Sequence, residues 1–310
     1  VLEEEADLAG LPDFVRAAAL ADGGERGLVG KHVITLSRSS IEPFLQFSAR
    51  RDLRERAFRA WTMRGDNGGA HDNKPLIAEM LALRDERARL LGFASQAHYR
   101  LDDAMAKTPQ AARAMLDRVW PAARDRAERD RTALQELVRQ EGGNFALAPW
   151  DWRYYAEKLR KARLAVEEAE IKLYLQLDNI IAAAFYVAGR LFGISFEPLR
   201  DAPAHHPDVR VWTVTDAAGR HRGVFVGDYF ARPSKRSGAW MMSLRRQQKL
   251  AEHQPVVVNV MNFSKGQPGA PALLSMDGAR TLFHEFGHAL HGLLSDVTYP
   301  MLAGTSVATD

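Results

Sequence analysis

The spacing of apolar residues divides the chain into a long helical part and a shorter part with strand character. Apolar positions recur every three to four residues through most of the first two hundred residues, which is the period of an amphipathic α-helix. Thr108 and Pro109 are typical of a helix start, and Gly142 and Gly143 of its end. The predicted helices span 1–22 (with a break near residue 10), 40–63, 73–91, 95–105, 108–140, 149–159 and 170–192.

A change of period beyond residue 205 predicts a small β-sheet. Residues 209–214 alternate apolar and polar side chains, a turn follows at 216–219, and a second apolar segment spans 223–230, which together predict a β-hairpin. Residues 256–260 are a further strand candidate, interpreted as an edge strand that could pair with an extended peptide, with Asn259 and Asn262 as candidate contacts. Residues 33–36 could form a short β segment.

These patterns predict a fold that is mainly α with a small β-sheet, of the α+β class. We treat 1–310 as a single continuous unit, helical over 1–200, with the small sheet at about 205–262 and a last helix at about 277–294. The helix at 170–192 is apolar almost all round, so we expect it to be buried between other elements.

Composition excludes several classes of protein. Hydrophobic residues make up 46% of the chain and charged residues 26%, as in globular proteins that fold in water. The 42 Lys and Arg are interleaved with 39 Asp and Glu, which argues against a nucleic-acid partner, and no apolar run is long enough to cross a membrane. Because cysteine is absent, disulfides, thiolate metal sites and a cysteine nucleophile are excluded. With no visible signal peptide, we expect a cytoplasmic protein.

The last predicted helix carries an H-E-x-x-H pattern formed by His284, Glu285 and His288. Residues four apart lie on the same side of a helix, so both imidazoles can bind one Zn²⁺ ion. Glu285 can then act as the general base that takes a proton from a metal-bound water. His291 is better interpreted as a structural or supporting residue. Apolar flanks predict that this helix is buried, where two histidines and a glutamate need a partner such as a metal.

The pattern alone leaves alternatives open. Short H-E-x-x-H matches arise by chance, so a non-catalytic helical scaffold or interaction fragment remains the alternative to a zinc peptidase. The His205–His206 pair in the segment 205–208 could be a second metal site, although a polar loop is favoured. Asp228 and Arg232 could meet a substrate or form a structural salt bridge.

The sequence from 281 to 292, TLFHEFGHALHG, resembles the motif of the thimet oligopeptidase family of zinc metallopeptidases. Further segments resemble the bacterial peptidyl-dipeptidase branch of that family and occur in the same order. They are GF at 92–93, MAKTP at 105–109, PWDW at 149–152, HPDVRVW at 206–212, GDYFAR at 227–232, GAWM at 238–241 and GT at 304–305. The resemblance therefore extends over nearly the whole chain.

This resemblance implies a two-lobed helical peptidase that cleaves short peptides, and in this branch releases dipeptides from C-termini. It implies His284 and His288 as zinc ligands, Glu285 as the catalytic base, and a third Glu ligand that would fall just beyond residue 310. We therefore expect a central fragment that lacks N-terminal helices and a C-terminal half and is inactive, or nearly so, by itself. Asp296 and Asp310 are conceivable substitute ligands, and an exposed face could lead to self-association.

Overall fold

The computed structural model describes residues 1–164, 168–232, 234–265 and 269–308, apart from the side chains of 168 and 169. Helices dominate the first two-thirds of the chain, and a mixed sheet and a long helix follow. The helices are α1 (Asp13–Gly24), α2 (Arg38–Phe47), α3 (Arg51–Thr62), α4 (Lys74–Leu90), α5 (Gln96–Leu101), α6 (Pro109–Gln140), α7 (Trp152–Leu164), α8 (Glu168–Tyr174), α9 (Leu177–Phe192) and α10 (Met276–Leu293), with short 3-10 helices at Glu5–Leu8 and Pro300–Leu302.

Two helices that the sequence predicts as continuous are each divided in the structure. The predicted helix 40–63 is α2 and α3, because Ser48 leaves the helical conformation and the Ala49 amide donates to the Ala9 carbonyl at 2.9 Å. The predicted helix 170–192 is α8 and α9. Between them, Leu177 donates to the Ala272 carbonyl at 2.9 Å, so tertiary pairing replaces helical hydrogen bonds here.

The sheet has five strands in the order β1-β2-β3-β5-β4. Only β3 and β5 are parallel, and the other neighbours are antiparallel. The strands are β1 (Ile194–Pro198), β2 (Arg210–Asp216), β3 (His221–Phe230), β4 (Trp240–Arg245) and β5 (Val256–Phe263). The predicted α+β class and the β2–β3 hairpin are confirmed.

Four expectations about strands need correction. Strands β1 and β4 were not predicted, and the segment 256–260 was expected at an edge, whereas β5 lies between β3 and β4. The edges of this sheet are β1 and β4. In the region 33–36 no strand forms, and His32 makes only an isolated bridge with Leu2.

One face of the sheet packs against α9 and α10. Side chains alternate between the two faces of a strand, and Val257 and Met261 of β5 share a core with Leu282 and Phe286 of α10. The ring of Phe286 lies 5.5 Å from that of Phe225 on β3. This packing fixes α10 across the sheet, so only the opposite side of the helix remains accessible.

Contacts divide the chain into two compact units, formed by Val1–Arg50 with Arg160–Val307 and by Arg51–Leu159. The assignment of 1–310 as a single continuous fragment stays a prediction. The first unit contains the sheet and α10. Among the helices that the structure describes, none combines the length and the apolar character needed to cross a bilayer. Helix α9 is buried on one side only, since Tyr186 and Leu191 are exposed, contrary to the expectation that it is buried all round.

Candidate metal centre

Helix α10 places the H-E-x-x-H residues on two different sides. The helix begins where Ser275 Oγ accepts a hydrogen bond from the Gly278 amide at 3.0 Å, which satisfies one of the free N–H groups of the first turn. His284 and His288 lie on the exposed side. The expected burial therefore applies only to the opposite side, which the core covers.

The two histidines approach each other closely. Nε2 of His284 lies 3.2 Å from Nε2 of His288, and the rings are perpendicular, with an interplanar angle of 89°. Two nitrogen ligands at about 2.0–2.1 Å from a tetrahedral zinc are separated by ~3.3 Å. The separation of the two Nε2 atoms therefore fits two neutral imidazoles that share one Zn²⁺ ion.

Glu285 occupies a different environment from its histidine neighbours. Its side chain is only 8% exposed, and it forms no hydrogen bond or ion pair with the residues that the structure describes. Burial of a carboxylate without a partner is unfavourable. The buried Glu285 carboxylate therefore calls for a polar or charged partner.

A third ligand does not join the histidine pair in the described part of the chain, where no group of three or more His, Cys, Asp or Glu side chains could hold a metal. Asp296, a conceivable substitute, pairs instead with Lys249 at 3.1 Å. Asp310 lies outside the described residues. His291 is exposed, and its carbonyl accepts a hydrogen bond from Ser295 Oγ at 2.8 Å. In the described part of the chain, α10 thus brings two candidate ligands close together.

A second polar cluster surrounds Asp228 at the end of β3. Arg232 donates to both carboxylate oxygens of Asp228, at 2.7 and 2.6 Å, and Lys235 Nζ lies 3.1 Å from Oδ1. The nearby His205 Nε2 is 3.2 Å from Oδ2. Of the two alternatives left open for Asp228 and Arg232, the salt bridge is the one that the structure shows. Neither the sequence pattern nor its spacing indicated Lys235.

The electrostatics of this cluster follow from its burial and its hydrogen bonds. Burial alone would raise the pKa of Asp228, but hydrogen bonds from Arg232 and Lys235 outweigh it and hold the pKa far below its usual range. Lys235 also donates to the backbone carbonyls of Asp228 and Phe230, while burial lowers the pKa of its ammonium group. The cluster is a structural clamp between β3 and the following loop.

Asn259 on β5, which the sequence suggests as a peptide contact, is a buried polar residue. The residue is 1% exposed, and its Oδ1 atom is buried with no hydrogen-bond partner among the described residues. Buried side-chain oxygens without partners are rare in folded proteins. The sequence did not indicate that this side chain lies in the interior.

Comparison with known proteins identifies relatives along the full chain. The chain is 39% identical to the dipeptidyl carboxypeptidase of Escherichia coli over 311 residues, which cover all of this chain and 46% of that protein. It is 40% identical to the dipeptidyl carboxypeptidase of Salmonella typhimurium, covering 98% of this chain and 45% of that protein. It is 34% identical to oligopeptidase A of Salmonella typhimurium, covering 99% and 46% respectively. The chain therefore spans less than half the length of these relatives.

A family model provides the broader assignment and confirms the resemblance found in the sequence. The model described as "Peptidase family M3" matches residues 44–310, which is most of the chain and includes the sheet and all of α10. The names of the three relatives agree with this match, since each is the name of a peptidase. This chain belongs to peptidase family M3.

Proposed function

We propose that this chain provides the metal-binding helix and the catalytic base of a zinc-dependent peptidase of the zincin type, which hydrolyses short peptides and releases C-terminal dipeptides. His284 and His288 are the proposed ligands and Glu285 the proposed base. The observation that carries the proposal is the 3.2 Å approach of the two Nε2 atoms on the exposed side of α10. Two relatives named dipeptidyl carboxypeptidase support the dipeptide specificity.

The proposed chemistry assigns a separate task to each residue. A bound zinc ion would supply Lewis acidity that lowers the pKa of a water molecule and polarises the peptide carbonyl. His284 and His288 must be neutral to bind it, so each keeps its other ring proton on Nδ1. Glu285 accepts the proton of the attacking water on a carboxylate oxygen and delivers it to the nitrogen of the departing amine.

The edge strand β4 offers a place for the peptide. In the part of the sheet that the structure describes, β4 pairs on one side only, with β5. A Cβ atom on Gly292 of α10 would lie 3.8 Å from Ser243 Oγ of β4, so the edge strand passes close to this helix. We propose that an extended peptide adds to the free edge of β4 and lies beside the histidine pair.

We also propose that the 310-residue chain is inactive or nearly so by itself. A catalytic zinc normally has three protein ligands, and in the ranges that the structure describes no group of three or more His, Cys, Asp or Glu side chains could hold a metal ion. Native mass spectrometry with added zinc, followed by exchange into zinc-free buffer, tests the metal site. Retention of one zinc ion at 34.6 kDa, with robust peptide cleavage by this chain, would refute the proposal of inactivity.

Two further expectations belong to the same proposal. Exposed apolar side chains on α4 and α6 favour self-association of this chain, which sedimentation velocity can measure. They include Leu76, Ile77, Leu83, Leu90, Met115, Leu116, Val119 and Trp120. Of the α4 residues, only Ala88 is buried. A cytoplasmic location stays a prediction that cell fractionation can check.

The main experiment uses a polypeptide of the length of the curated relatives that contains this chain. Glu285→Gln should retain zinc and lose peptide cleavage by about 10²–10⁴-fold, because general-base catalysis contributes this much. His288→Ala should lose both zinc and cleavage. His221→Gln, an exposed histidine on β3, is the matched control and should change neither. If Glu285→Gln cleaves peptides at the unaltered rate, Glu285 is not the base, and the non-catalytic scaffold becomes the better interpretation.

A further inference from the structure

The side of α10 that faces β5 carries two glycines and Glu285. Gly278, Glu285 and Gly292 are seven residues apart, which is close to two helical turns, so they form one line along the helix. A Cβ atom on Gly292 would lie 3.0 Å from Val257 Cγ2, and one on Gly278 would lie 3.4 Å from the Phe263 ring. Both ends of this line therefore touch β5.

Glu285 lies midway between these two contacts. The helix rises ~21 Å from Gly278 to Gly292, and the strand rises ~20 Å from Phe263 to Val257. The middle of the line thus falls near the middle of β5, at about residue 260. Because Val257 and Met261 face α10, alternation directs Asn259 to the same face, at the level of Glu285.

The neighbours of Asn259 in the sheet offer its carboxamide no polar side chain. Its register partners are Gly227 on β3 and Met241 on β4. Asn259 Oδ1 is buried without a partner, and the Glu285 carboxylate is buried without one, as far as the described residues extend. An amide group is both donor and acceptor, and a carboxylate accepts only. The two buried groups at this level are therefore complementary.

We infer that Asn259 is a positioning residue that holds the Glu285 carboxylate toward the histidine pair through a hydrogen bond from its side-chain amide. The nitrogen and oxygen of a carboxamide exchange places by a 180° rotation, so the NH₂ group can occupy the buried position of Oδ1. This inference rests on the proposed role of Glu285 as the base. Asn259 does not touch the peptide in this arrangement. It raises kcat because it holds the Glu285 carboxylate in the orientation that accepts the proton.

The decisive variant is Asn259→Leu, which keeps the shape of the side chain and removes its hydrogen-bonding groups. In the zinc-loaded polypeptide of full family length, we expect kcat to fall about tenfold, with KM and zinc content unchanged. Tm should fall as well, because the substitution leaves the buried Glu285 carboxylate without its hydrogen bond. A purely structural Asn259 would give a lower Tm with kcat retained.

Further variants separate positioning from packing. Asn259→Gln keeps an amide and should recover part of the lost kcat. Val257→Ala, the matched control on the same face of β5, should lower Tm by opening a cavity but leave kcat unchanged. In the Glu285→Gln background, Asn259→Leu should have no further effect on kcat, because residues that act through one another are not additive.

The two proposals can fail separately. If Glu285→Gln abolishes cleavage while Asn259→Leu keeps full kcat, the positioning role is wrong and the base remains. If Glu285→Gln keeps full activity, both are wrong. In the 310-residue chain, Glu285→Gln should also shift the NMR signal of the Asn259 side-chain amide, and an unchanged signal would overturn the hydrogen bond without any activity measurement.

Discussion

The ion pair between Asp228 and Lys235 allows a direct test of how burial changes the contribution of a salt bridge to stability. Its Nζ–Oδ1 distance is 3.1 Å, and the two side chains are 5% and 3% exposed. A second Lys–Asp pair in the same compact unit, Lys249 with Asp296, has the same 3.1 Å distance, but its side chains are 54% and 68% exposed. The two pairs have the same distance and differ in their access to water and in the second cation, Arg232, which only Asp228 contacts.

The magnitudes follow from what each substitution leaves behind. Asp228→Asn removes the negative charge between Lys235 and Arg232 and leaves a buried ammonium group without its counterion, a change that costs about 3–5 kcal/mol. Backbone carbonyls of Asp228 and Phe230 continue to accept from Lys235, which favours the lower end, about 3 kcal/mol. Asp296→Asn should cost less than about 1 kcal/mol, as exposed ion pairs do.

Native-state hydrogen exchange of the amides in β3 and β5 is the appropriate assay, because it reports the unfolding free energy of the unit that contains both pairs. The double variant Asp228→Asn with Lys235→Met should recover part of the loss, since it removes both charges. Equal losses for Asp228→Asn and Asp296→Asn would show that burial does not set the strength of these pairs, and the reasoning would fail.

Three further predictions concern pH, a helix cap and a glycine. The pKa of Asp228 is lower in the folded state than its unfolded value of about 3.9. The contribution of the ionised Asp228 to the unfolding free energy is therefore complete above that pH and is lost as pH falls toward the folded pKa. The unfolding free energies of wild type and Asp228→Asn should thus begin to converge below about pH 4. Ser275→Ala should destabilise α10 by about 1 kcal/mol, measured by the same exchange method, with Thr108→Ala as a comparable cap on α6. Gly304→Ala should lower the unfolding free energy, measured by thermal unfolding, by about 2 kcal/mol, because φ is +60° and a Cβ atom would lie 3.2 Å from Gly292 Cα. The control Gly219→Ala, at φ +74° with no atom near the added Cβ, should lower it by about half as much.

The parts of the fold that the sequence predicted are those determined by local pattern. The long α6 helix was bounded by its cap Thr108 and its terminal glycine, and it spans Pro109–Gln140 as expected. Strand β4 was missed because its sequence, WMMSLR, has no regular alternation, and its pairing with β5 has a register shift at Ser243. The division between α8 and α9 was missed because it depends on backbone pairing with the distant segment at Ala272.

The same distinction explains which parts of the candidate site could be foreseen. His284 and His288 are four residues apart, so helix geometry alone brings their Nε2 atoms to 3.2 Å, and no tertiary contact is needed. Lys235 and Asn259 act across strands, and no spacing in the chain encodes which strand lies beside which. Their places became evident only from burial and from hydrogen bonds that are made or missing.

One side of α10 is buried and the other is exposed, which explains how the helix can carry polar side chains and still pack against the sheet. Leu282, Phe286 and Ala289 pack into the core of the sheet, so the histidines on the exposed side can bind or release a ligand without disturbing that packing. Glu285 lies on the buried side, midway between the close approaches of Gly278 and Gly292 to β5. It is enclosed there yet adjacent in the chain to the exposed His284, as the proposed base for a metal-bound water requires.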